Sequence, residues 1–363
     1  MIRLLSYFFL FFCISLFTSC NKDGNLVAPG NPPVWTQEQL QSLEVRGVCA
    51  TGNVIIAGAY QDYTSNACFF RSTDNGVTWA RTDSFSIQNH SPNQSLWTIP
   101  SLVFQTDGTE ILAGIGGGLA RGDIYISTDG GLTWKDNGVD WPESGKNGTE
   151  NIEDFCISGG TIFAGTDEGV FLSTNHGASW KNTDDGFTTP VEGIGAVGLN
   201  VFAATEGEGI YRSSDNGSNW ALADSENYIF KSLVPIGSDI FAGAFQFYDK
   251  PFTGGVFLST DKGANWAHSD SGLANHEVNV LVASGSYLFA GTNLGIYVSL
   301  NAGADWTFAS TGSPADSMTV LSLAVNSTQL VIGTSNGVWC CPLSGLENME
   351  SETNQLVHKN DGG

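Results

Sequence analysis

Residues 127–134 read Ser127-Thr128-Asp129-Gly130-Gly131-Leu132-Thr133-Trp134, and this stretch decides the fold because the chain repeats it. The shared frame is Ser-x-Asp/Asn-x-Gly-x-x-Trp, and six copies of it lie 40 to 55 residues apart. A fixed motif at such a period indicates a repeat architecture. The defining positions are Ser72, Asp74, Gly76 and Trp79; Ser127, Asp129, Gly131 and Trp134; Ser173, Asn175, Gly177 and Trp180; Ser213, Asp215, Gly217 and Trp220; Ser259, Asp261, Gly263 and Trp266; Ser299, Asn301, Gly303 and Trp306.

Each position of this motif suits a tight hairpin. The Asp or Asn is expected to cap the turn by accepting hydrogen bonds from backbone N–H groups one or two residues on. The Gly supplies a positive φ that a Cβ would penalise, and the Trp ring is expected to cover the hairpin as an apolar lid. Because Asn175 and Asn301 replace Asp in two copies, the position favours turn geometry over metal binding, and all six motifs are predicted to be structural.

The six motifs resemble the Asp-box (BNR) repeat, which occurs in sialidases, xyloglucan-active glycoside hydrolases, sortilin-type receptors and photosystem II assembly factors. The resemblance covers about residues 46–340. It implies that each box sits at the turn between the third and fourth strands of a β-propeller blade. It implies little about function, since that family shares the box without sharing a chemistry.

A second recurring phrase, Phe-Ala-Gly or a variant of it, marks the second strand of each repeat, for example at Phe163-Ala164-Gly165. Small residues there would let neighbouring sheets pack closely. This phrase occurs seven times, and the seventh copy, Val331-Ile332-Gly333, has no box after it. Val34-Trp35-Thr36 resembles the fourth strands and is predicted to complete that last blade, since an open edge would invite aggregation. The predicted fold is an all-β, seven-bladed β-propeller of four-stranded antiparallel blades, six with Asp boxes, closed by the N-terminal strand.

The N-terminus has the pattern of a bacterial lipoprotein signal. Arg3 precedes an apolar run from Leu4 to Phe17 that is too short to span a bilayer. Thr18-Ser19-Cys20 resembles a relaxed lipobox, so residues 1–19 are predicted to be removed and Cys20 to carry lipid; an ordinary signal peptide with an incidental Cys is the alternative. Residues 20–32 are expected to be a flexible tether, 33–345 the propeller and 346–363 a polar disordered tail. This predicts a monomer anchored at the outer membrane or surface of a Gram-negative bacterium, with lipid as its only membrane contact.

Composition narrows the possible partners. The formal net charge is −23 at pH 7, which disfavours binding to nucleic acid or to anionic membranes. No cofactor or metal motif is present, so neither is expected. The remaining cysteines, Cys49, Cys68, Cys156, Cys340 and Cys341, are odd in number and are expected to be buried thiols, with one bridge between blades 1 and 7 as the alternative.

Binding is expected at the face opposite the boxes, where the longest connecting loops gather. These loops span Asp83–Trp97, Asp136–Asn151 and Phe245–Gly254. Aromatic faces beside carboxylates can hold sugars or amines; the alternative is an acidic rim with aromatics that plug the channel mouth. The candidate ligand-binding residues are Trp97, Asp140, Trp141, Glu143 and Tyr248.

Two functions stay open from the sequence. The first is a surface-anchored, non-catalytic propeller that binds a glycan or protein partner, or scaffolds an assembly. The alternative is a secreted glycoside hydrolase, which needs only two carboxylates, for example a pair from Glu153, Asp154, Asp167 and Glu192. Sialidase activity is not expected, because Arg71 and Arg212 directly precede box serines and three arginines cannot then meet at the opposite face.

Overall fold

The fold was analysed in a computed structural model of the 363-residue chain. The structure describes residues 19–20, 26–27, 36–37, 40–60, 67–82, 102–116, 123–137, 151–183, 186–224, 228–245, 254–273, 277–309, 318–344 and 346. Within these residues the regular structure is almost entirely antiparallel β-sheet.

Seven four-stranded sheets form the blades of a propeller. Before them, β1 (Ser19–Cys20) pairs with β2 (Leu26–Val27) in a short ribbon, and β3 (Thr36–Gln37) belongs to the last blade. The blade strands are, for blade 1, β4 (Glu44–Thr51), β5 (Val54–Tyr60), β6 (Ala67–Ser72) and β7 (Ala80–Arg81); for blade 2, β8 (Leu102–Thr106), β9 (Ile111–Ile115), β10 (Asp123–Ser127) and β11 (Lys135–Asp136); for blade 3, β12 (Ile152–Ser158), β13 (Thr161–Thr166), β14 (Gly169–Ser173) and β15 (Lys181–Asn182); for blade 4, β16 (Val191–Val197), β17 (Asn200–Thr205), β18 (Ile210–Ser213) and β19 (Ala221–Asp224); for blade 5, β20 (Ile229–Ile236), β21 (Asp239–Phe245), β22 (Gly255–Ser259) and β23 (Ala267–His268); for blade 6, β24 (Val278–Ser284), β25 (Tyr287–Thr292), β26 (Gly295–Ser299) and β27 (Thr307–Phe308); and for blade 7, β28 (Val320–Val325), β29 (Gln329–Thr334) and β30 (Gly337–Pro342), with β3 as fourth strand.

The ring closes in the way that the sequence predicted. Strand β3 pairs antiparallel with β30, with Thr36 opposite Cys340 and Gln37 opposite Trp339. The first strand of every blade contacts the first strands of both neighbouring blades, including β28 with β4. These seven strands therefore surround the central axis, and the all-β, seven-bladed prediction is confirmed.

Small residues on the second strands allow the blades to pack face to face, as predicted. A Cβ added to Gly114 of β9 would lie 2.7 Å from Phe155 Cε2 on blade 3, a distance at which atoms overlap. The largest fully buried side chains are mostly Phe and Ile from the first three strands, among them Phe163, Phe202 and Phe241. The core is therefore a set of apolar layers between adjacent blades.

All six boxes form the same hydrogen-bond network at the turn between third and fourth strands. In the second box, the Ser127 hydroxyl donates to Asp129 Oδ1 (2.8 Å) and accepts from the Gly131 N–H (2.8 Å). Asp129 accepts from the N–H groups of Leu132 and Thr133. The acceptor thus serves donors three and four residues on, not one or two as expected, because the chain wraps around the carboxylate instead of turning directly after it.

Asp and Asn boxes differ at one partner position, four residues after the Asp or Asn. In a box with Asp, the side chain four residues on donates to the carboxylate, as Thr133 Oγ1 donates to Asp129 Oδ2 (2.5 Å). In a box with Asn, the side chain four residues on accepts from the amide. Asn175 Nδ2 donates to Ser179 Oγ (2.9 Å), and Asn301 Nδ2 donates to Asp305 Oδ2 (3.2 Å). When Asp is replaced by Asn, the role of the partner side chain changes from donor to acceptor. The six boxes therefore share a complementary hydrogen bond at this position, and the charge of the Asp is secondary.

The box tryptophans join neighbouring blades more than the sequence suggested. Trp306 Nε1 donates to the Ser269 carbonyl of blade 5 (2.7 Å), and the Trp134 ring lies 4.8 Å from that of Phe69 on blade 1. Trp180 matches the predicted lid, since its Nε1 donates to Gly177 of its own turn (3.1 Å). Most of these residues therefore act between blades as well as within a hairpin.

The five described cysteines are thiols, so the bridge between blades 1 and 7 does not form. Four are buried and Cys156 is half-buried. Burial raises the pKa of Cys49 to about 12, which makes its reactive thiolate form scarce at neutral pH. No described residue belongs to a helix long and apolar enough to cross a membrane.

Candidate binding site at the channel mouth

A β-bulge recurs at the same place in the first strand of six blades. The pairing between first and second strands skips one residue there; blade 2 pairs without a skip. Bulges re-aim side chains and are frequent near binding sites. The skipped residues are Arg46, Glu153, Glu192, Lys231, Asn279 and Leu321, and together they define what is called here the channel mouth.

The channel mouth lies at the end of the blades opposite the boxes. Ile152, which precedes the bulge of blade 3, pairs with Thr166 at the turn between second and third strands. The box serine Ser173 pairs instead with Ile162, at the other end of the second strand. Since these bulges sit on the innermost strands, their side chains gather around one end of the central axis.

The charges of the channel mouth interact across blades. Lys231 Nζ lies 3.2 Å from Glu192 Oε2 and 5.7 Å from the centre of the Phe245 ring. An Arg46 guanidinium nitrogen lies 2.5 Å from Glu44 Oε1. Both cations of the mouth therefore already have a carboxylate partner.

Among the bulge residues that the structure describes, Glu153 is the carboxylate that has no such partner. Burial raises its pKa to about 8, and the negative charge of Glu192 adds to this effect, while Lys231 and Arg46 oppose it. Those charges lie on blades 4, 5 and 1, so Glu153 faces the shared axis. The neighbouring Glu206 has its pKa raised by burial first and by Glu192 second.

Asp154, next to Glu153, has a structural role because its carboxylate accepts backbone hydrogen bonds. Its carboxylate accepts from the Phe155 N–H (2.8 Å) and from the Ile194 N–H of blade 4 (3.0 Å). Burial raises its pKa to about 7, and these hydrogen bonds oppose the shift. Ser232 plays the same part between blades 5 and 6, because its hydroxyl accepts from the Leu281 N–H (3.0 Å). This position therefore ties one first strand to the next.

Asp167 is also engaged in local structure. It accepts from the backbone N–H of Asn151 (2.8 Å) and from the Asn151 side-chain amide (3.2 Å). These bonds fasten the start of blade 3 to the turn between its second and third strands. Four carboxylates were predicted as candidates for the catalytic pair of a hydrolase. Two of them, Glu153 and Glu192, lie at the channel mouth, and the other two, Asp154 and Asp167, accept hydrogen bonds that hold the backbone.

The predicted ligand-binding residues Trp97, Asp140, Trp141, Glu143 and Tyr248 lie outside the described residues.

Two of the arginines lie away from the channel mouth, as the sequence predicted. Arg71 donates to the Gly130 carbonyl of the second box (2.7 Å), and Arg212 donates to Asn200 Oδ1, so both lie at the box end. Arg46 is the arginine that the described residues place at the channel mouth. No group of three potential ligands among the described residues could hold a metal ion.

The bulge ring itself was missed from the sequence, although a signal for it exists. Each bulged strand carries an apolar residue, the bulge residue, one further residue and a second apolar residue, as in Val45-Arg46-Gly47-Val48 and Val191-Glu192-Gly193-Ile194. Aligning the six bulged first strands on this phrase would have brought the skipped positions into one column.

Comparison with known proteins places the box and the blade in a wider group. The BNR/Asp-box repeat model matches residues 125–136. The oligoxyloglucan-reducing end-specific xyloglucanase of Emericella nidulans is 29% identical over 187 residues, which are 46% of this chain and 21% of that protein. The chain thus spans about a fifth of this curated relative.

Two solved structures have a similar fold. The GH74 enzyme of Niastella koreensis aligns with a TM-score of 0.61 at 16% identity, over 85% of this chain and 53% of that one. YCF48, solved bound to a D1 peptide, aligns with a TM-score of 0.60 at 15% identity, over 86% of this chain and 97% of that one. The two structures share the propeller fold with this chain, and the repeat model matches one of its six boxes; the chain is accordingly a seven-bladed β-propeller that carries BNR/Asp-box repeats.

Proposed function

We propose that this protein is a non-catalytic binding propeller whose partner seats over the channel mouth. The observation that carries the proposal is the gathering of Arg46, Glu153, Glu192 and Lys231, from four different blades, at the end opposite the boxes. A rigid scaffold that presents varied polar side chains at one end is a common design for binding sites.

The engagement of the carboxylates favours binding over hydrolysis. A glycoside hydrolase needs two carboxyl groups that are available to the substrate. Asp154 and Asp167 hold backbone and amide donors, and Glu192 is paired with Lys231. Of these four carboxylates, Glu153 is the one with no hydrogen bond or ion pair among the described residues, and one carboxyl group cannot act as both acid and base or nucleophile.

The extent of the structural likeness also supports a binding role. YCF48 was solved with a peptide bound, and its match with this chain covers nearly all of both proteins. The GH74 enzyme continues well beyond the matched region, since 53% of it is covered. A single propeller that holds a polypeptide is therefore the better analogue, and the predicted loop residues, with Trp141 first, would extend its binding surface.

The experiment that tests this function measures binding and cleavage side by side. Wild type should be retained on its polysaccharide or protein partner and should release no reducing ends from xyloglucan oligosaccharides. Trp141→Ala should keep the wild-type melting temperature and lose that retention. Cleavage of the oligosaccharides by wild type would refute the non-catalytic proposal.

A glycoside hydrolase is the second candidate, and one observation favours it. A carboxyl group with a pKa of about 8, as for Glu153, is protonated at neutral pH and could donate a proton to a leaving group. The xyloglucanase of Emericella nidulans adds a relative whose name states such an activity. Under this alternative, Glu153→Gln would abolish cleavage while substrate binding persisted.

Anchoring at the outer membrane forms the last part of the proposal. It is supported by the sequence around Cys20 and by the apolar run before it. Cys20→Ala should move the protein from the membrane fraction to the soluble fraction. Unchanged fractionation of this variant would overturn the lipid anchor.

A further inference from the structure

The charge pairs of the channel mouth leave one carboxyl group among its described residues, that of Glu153, without a cationic partner. Arg46 is paired with Glu44 at 2.5 Å and Lys231 with Glu192 at 3.2 Å. Glu153 has no hydrogen bond or ion pair with any described residue, although it is half-buried among neighbouring blades. An ionised carboxylate without a partner is costly in such surroundings, so Glu153 stays protonated near neutral pH until a cation arrives that stabilises its ionised form.

The groups around Glu153 decide which ligand charge is favoured. Glu192, Asp167, Lys231 and Arg46 all act on it, and Tyr60 of blade 1 responds to its charge. Because each cation already has its own carboxylate, an incoming anion would meet an uncompensated excess of acid. An ammonium or guanidinium group would instead meet Glu153 directly.

The surroundings also suit a cation carried on an apolar stem. Lys231 already rests near the face of Phe245, an arrangement in which a ring stabilises a positive charge. Leu321 supplies an apolar bulge residue on blade 7, and Asn279 donates to the Val320 carbonyl (3.3 Å) and so closes that side of the ring. A lysine or arginine side chain has both the apolar stem and the charged end that this enclosure requires.

We propose that the channel mouth receives one lysine or arginine side chain of a protein partner, with Glu153 as its anchor. The proposal rests on the binding function proposed above and names the chemistry of the partner. Ionised Glu153 is the form that binds, so binding of the cation should release a proton from Glu153 at neutral pH.

The experiment uses two blocked tripeptides, acetyl-Ala-Lys-Ala-amide and its norleucine analogue, which has a similar stem and no charge. Each is titrated against the wild-type protein at pH 8 and 0.15 M salt, with binding followed by saturation-transfer NMR. We expect the lysine peptide to bind and the norleucine peptide to bind at least about tenfold more weakly, the factor that one charge-assisted hydrogen bond supplies.

Two variants separate the site from the general acidity of the protein. Glu153→Gln should weaken the lysine peptide at least about tenfold, and the difference from wild type should grow between pH 6 and pH 9 as Glu153 ionises. Asp239→Asn removes one negative charge at the first residue of β21, at the box end, and should leave the affinity unchanged. Thermal melts of both variants would confirm that they fold.

Each contrary outcome has a distinct meaning. Equal binding of the two peptides, no binding of the lysine peptide, or equal weakening by Asp239→Asn would overturn the cation site. If a partner is still retained by the protein in any of those cases, the binding function stands without this site. Cleavage of xyloglucan oligosaccharides that depends on Glu153 would overturn both proposals.

Discussion

The two ends of the blades differ in what is repeated from blade to blade: side chains and hydrogen bonds at one end, and backbone shape alone at the other. At the box end, six blades repeat the same side chains and the same hydrogen bonds, from Ser72 to Trp306. At the channel mouth, six blades repeat the same backbone bulge and place a different residue type on most of them: Arg, Glu, Glu, Lys, Asn and Leu. Repetition of chemistry thus marks the structural end, and variation on a constant backbone marks the end where a partner would be recognised.

The box glycines should show the largest loss when this repetition is broken. A Cβ on Gly303, whose φ is +83°, would lie 2.7 Å from Phe241 Cε1 on blade 5. Gly303→Ala should therefore cost about 3 kcal/mol in the free energy of unfolding, from backbone strain plus overpacking. Urea unfolding measures this. Gly285→Ala is the matched control in the same blade, because its φ is +61° but nothing lies within 4 Å, and it should cost about 1 kcal/mol.

Glu153→Gln should change stability in the opposite direction. Since burial raises the folded-state pKa of Glu153 from 4.5 to about 8, the stability that this group contributes is complete below pH 4.5 and is lost as the pH rises towards 8. The stability of the Gln variant relative to wild type should therefore increase from pH 4.5 to pH 8. At pH 8 the variant should be about 2 kcal/mol more stable, after allowance for partial exposure. Thermal melts at pH 5 and pH 8 test this; an advantage that does not grow with pH would contradict it.

The exchange of donor and acceptor in the boxes can be tested by crossing them. Asn301→Asp should cost about 1 kcal/mol, because two carboxylates would then face each other at a position where Asn301 now donates to Asp305. Adding Asp305→Thr should restore most of that loss. Asp129→Asn should cost less than about 0.5 kcal/mol, since its partner Thr133 can accept as well as donate. A melt in which Asp129→Asn is the more harmful change would show that charge matters more than complementarity.

Acid should reveal the smallest difference between Asp and Asn boxes. The hydrogen bond from the Thr78 side chain, followed by that from the Thr78 N–H, lowers the pKa of Asp74 to about 2. Its contribution to stability is present above pH 3.8 and is lost as the pH falls towards 2. The stability gap between wild type and Asp74→Asn should therefore narrow across that range. The gap between wild type and Asn175→Ala should stay constant, because Asn175 does not titrate.

The sequence predicted the fold well because its signals are local. The box, the second-strand phrase and the Val34-Trp35-Thr36 strand each predict one turn or one strand, and counting them yields seven blades and the closure at Thr36. The positive φ of the residue before each box Gly, such as His176 at +54°, was not predicted. Residue types at that position vary, and only the shape of the whole turn requires the conformation.

The candidate site was less predictable because it depends on relations between blades. Neither Glu153 nor Lys231 indicates a bulge when its strand is read alone, since a bulge is defined by pairing with the second strand. The signal becomes visible only when the first strands are compared with one another. Likewise, Asp154 looked available for chemistry, and its use became visible only with the Ile194 N–H of the next blade in place. The aromatic loop residues chosen from the sequence, Trp141 among them, stay predictions.

The direction of the closing strand β3 decides at which end of the propeller the N-terminal segment is attached. Strand β30 runs from the turn after Thr334 at the mouth end towards the box end, and β3 pairs with it antiparallel. The chain therefore enters the propeller at Thr36 from the box end, and β30 ends at Pro342 on that same side. If Cys20 carries lipid as the sequence predicts, the chain leads from that anchor into the box end of the propeller, which is the end opposite the channel mouth and Glu153.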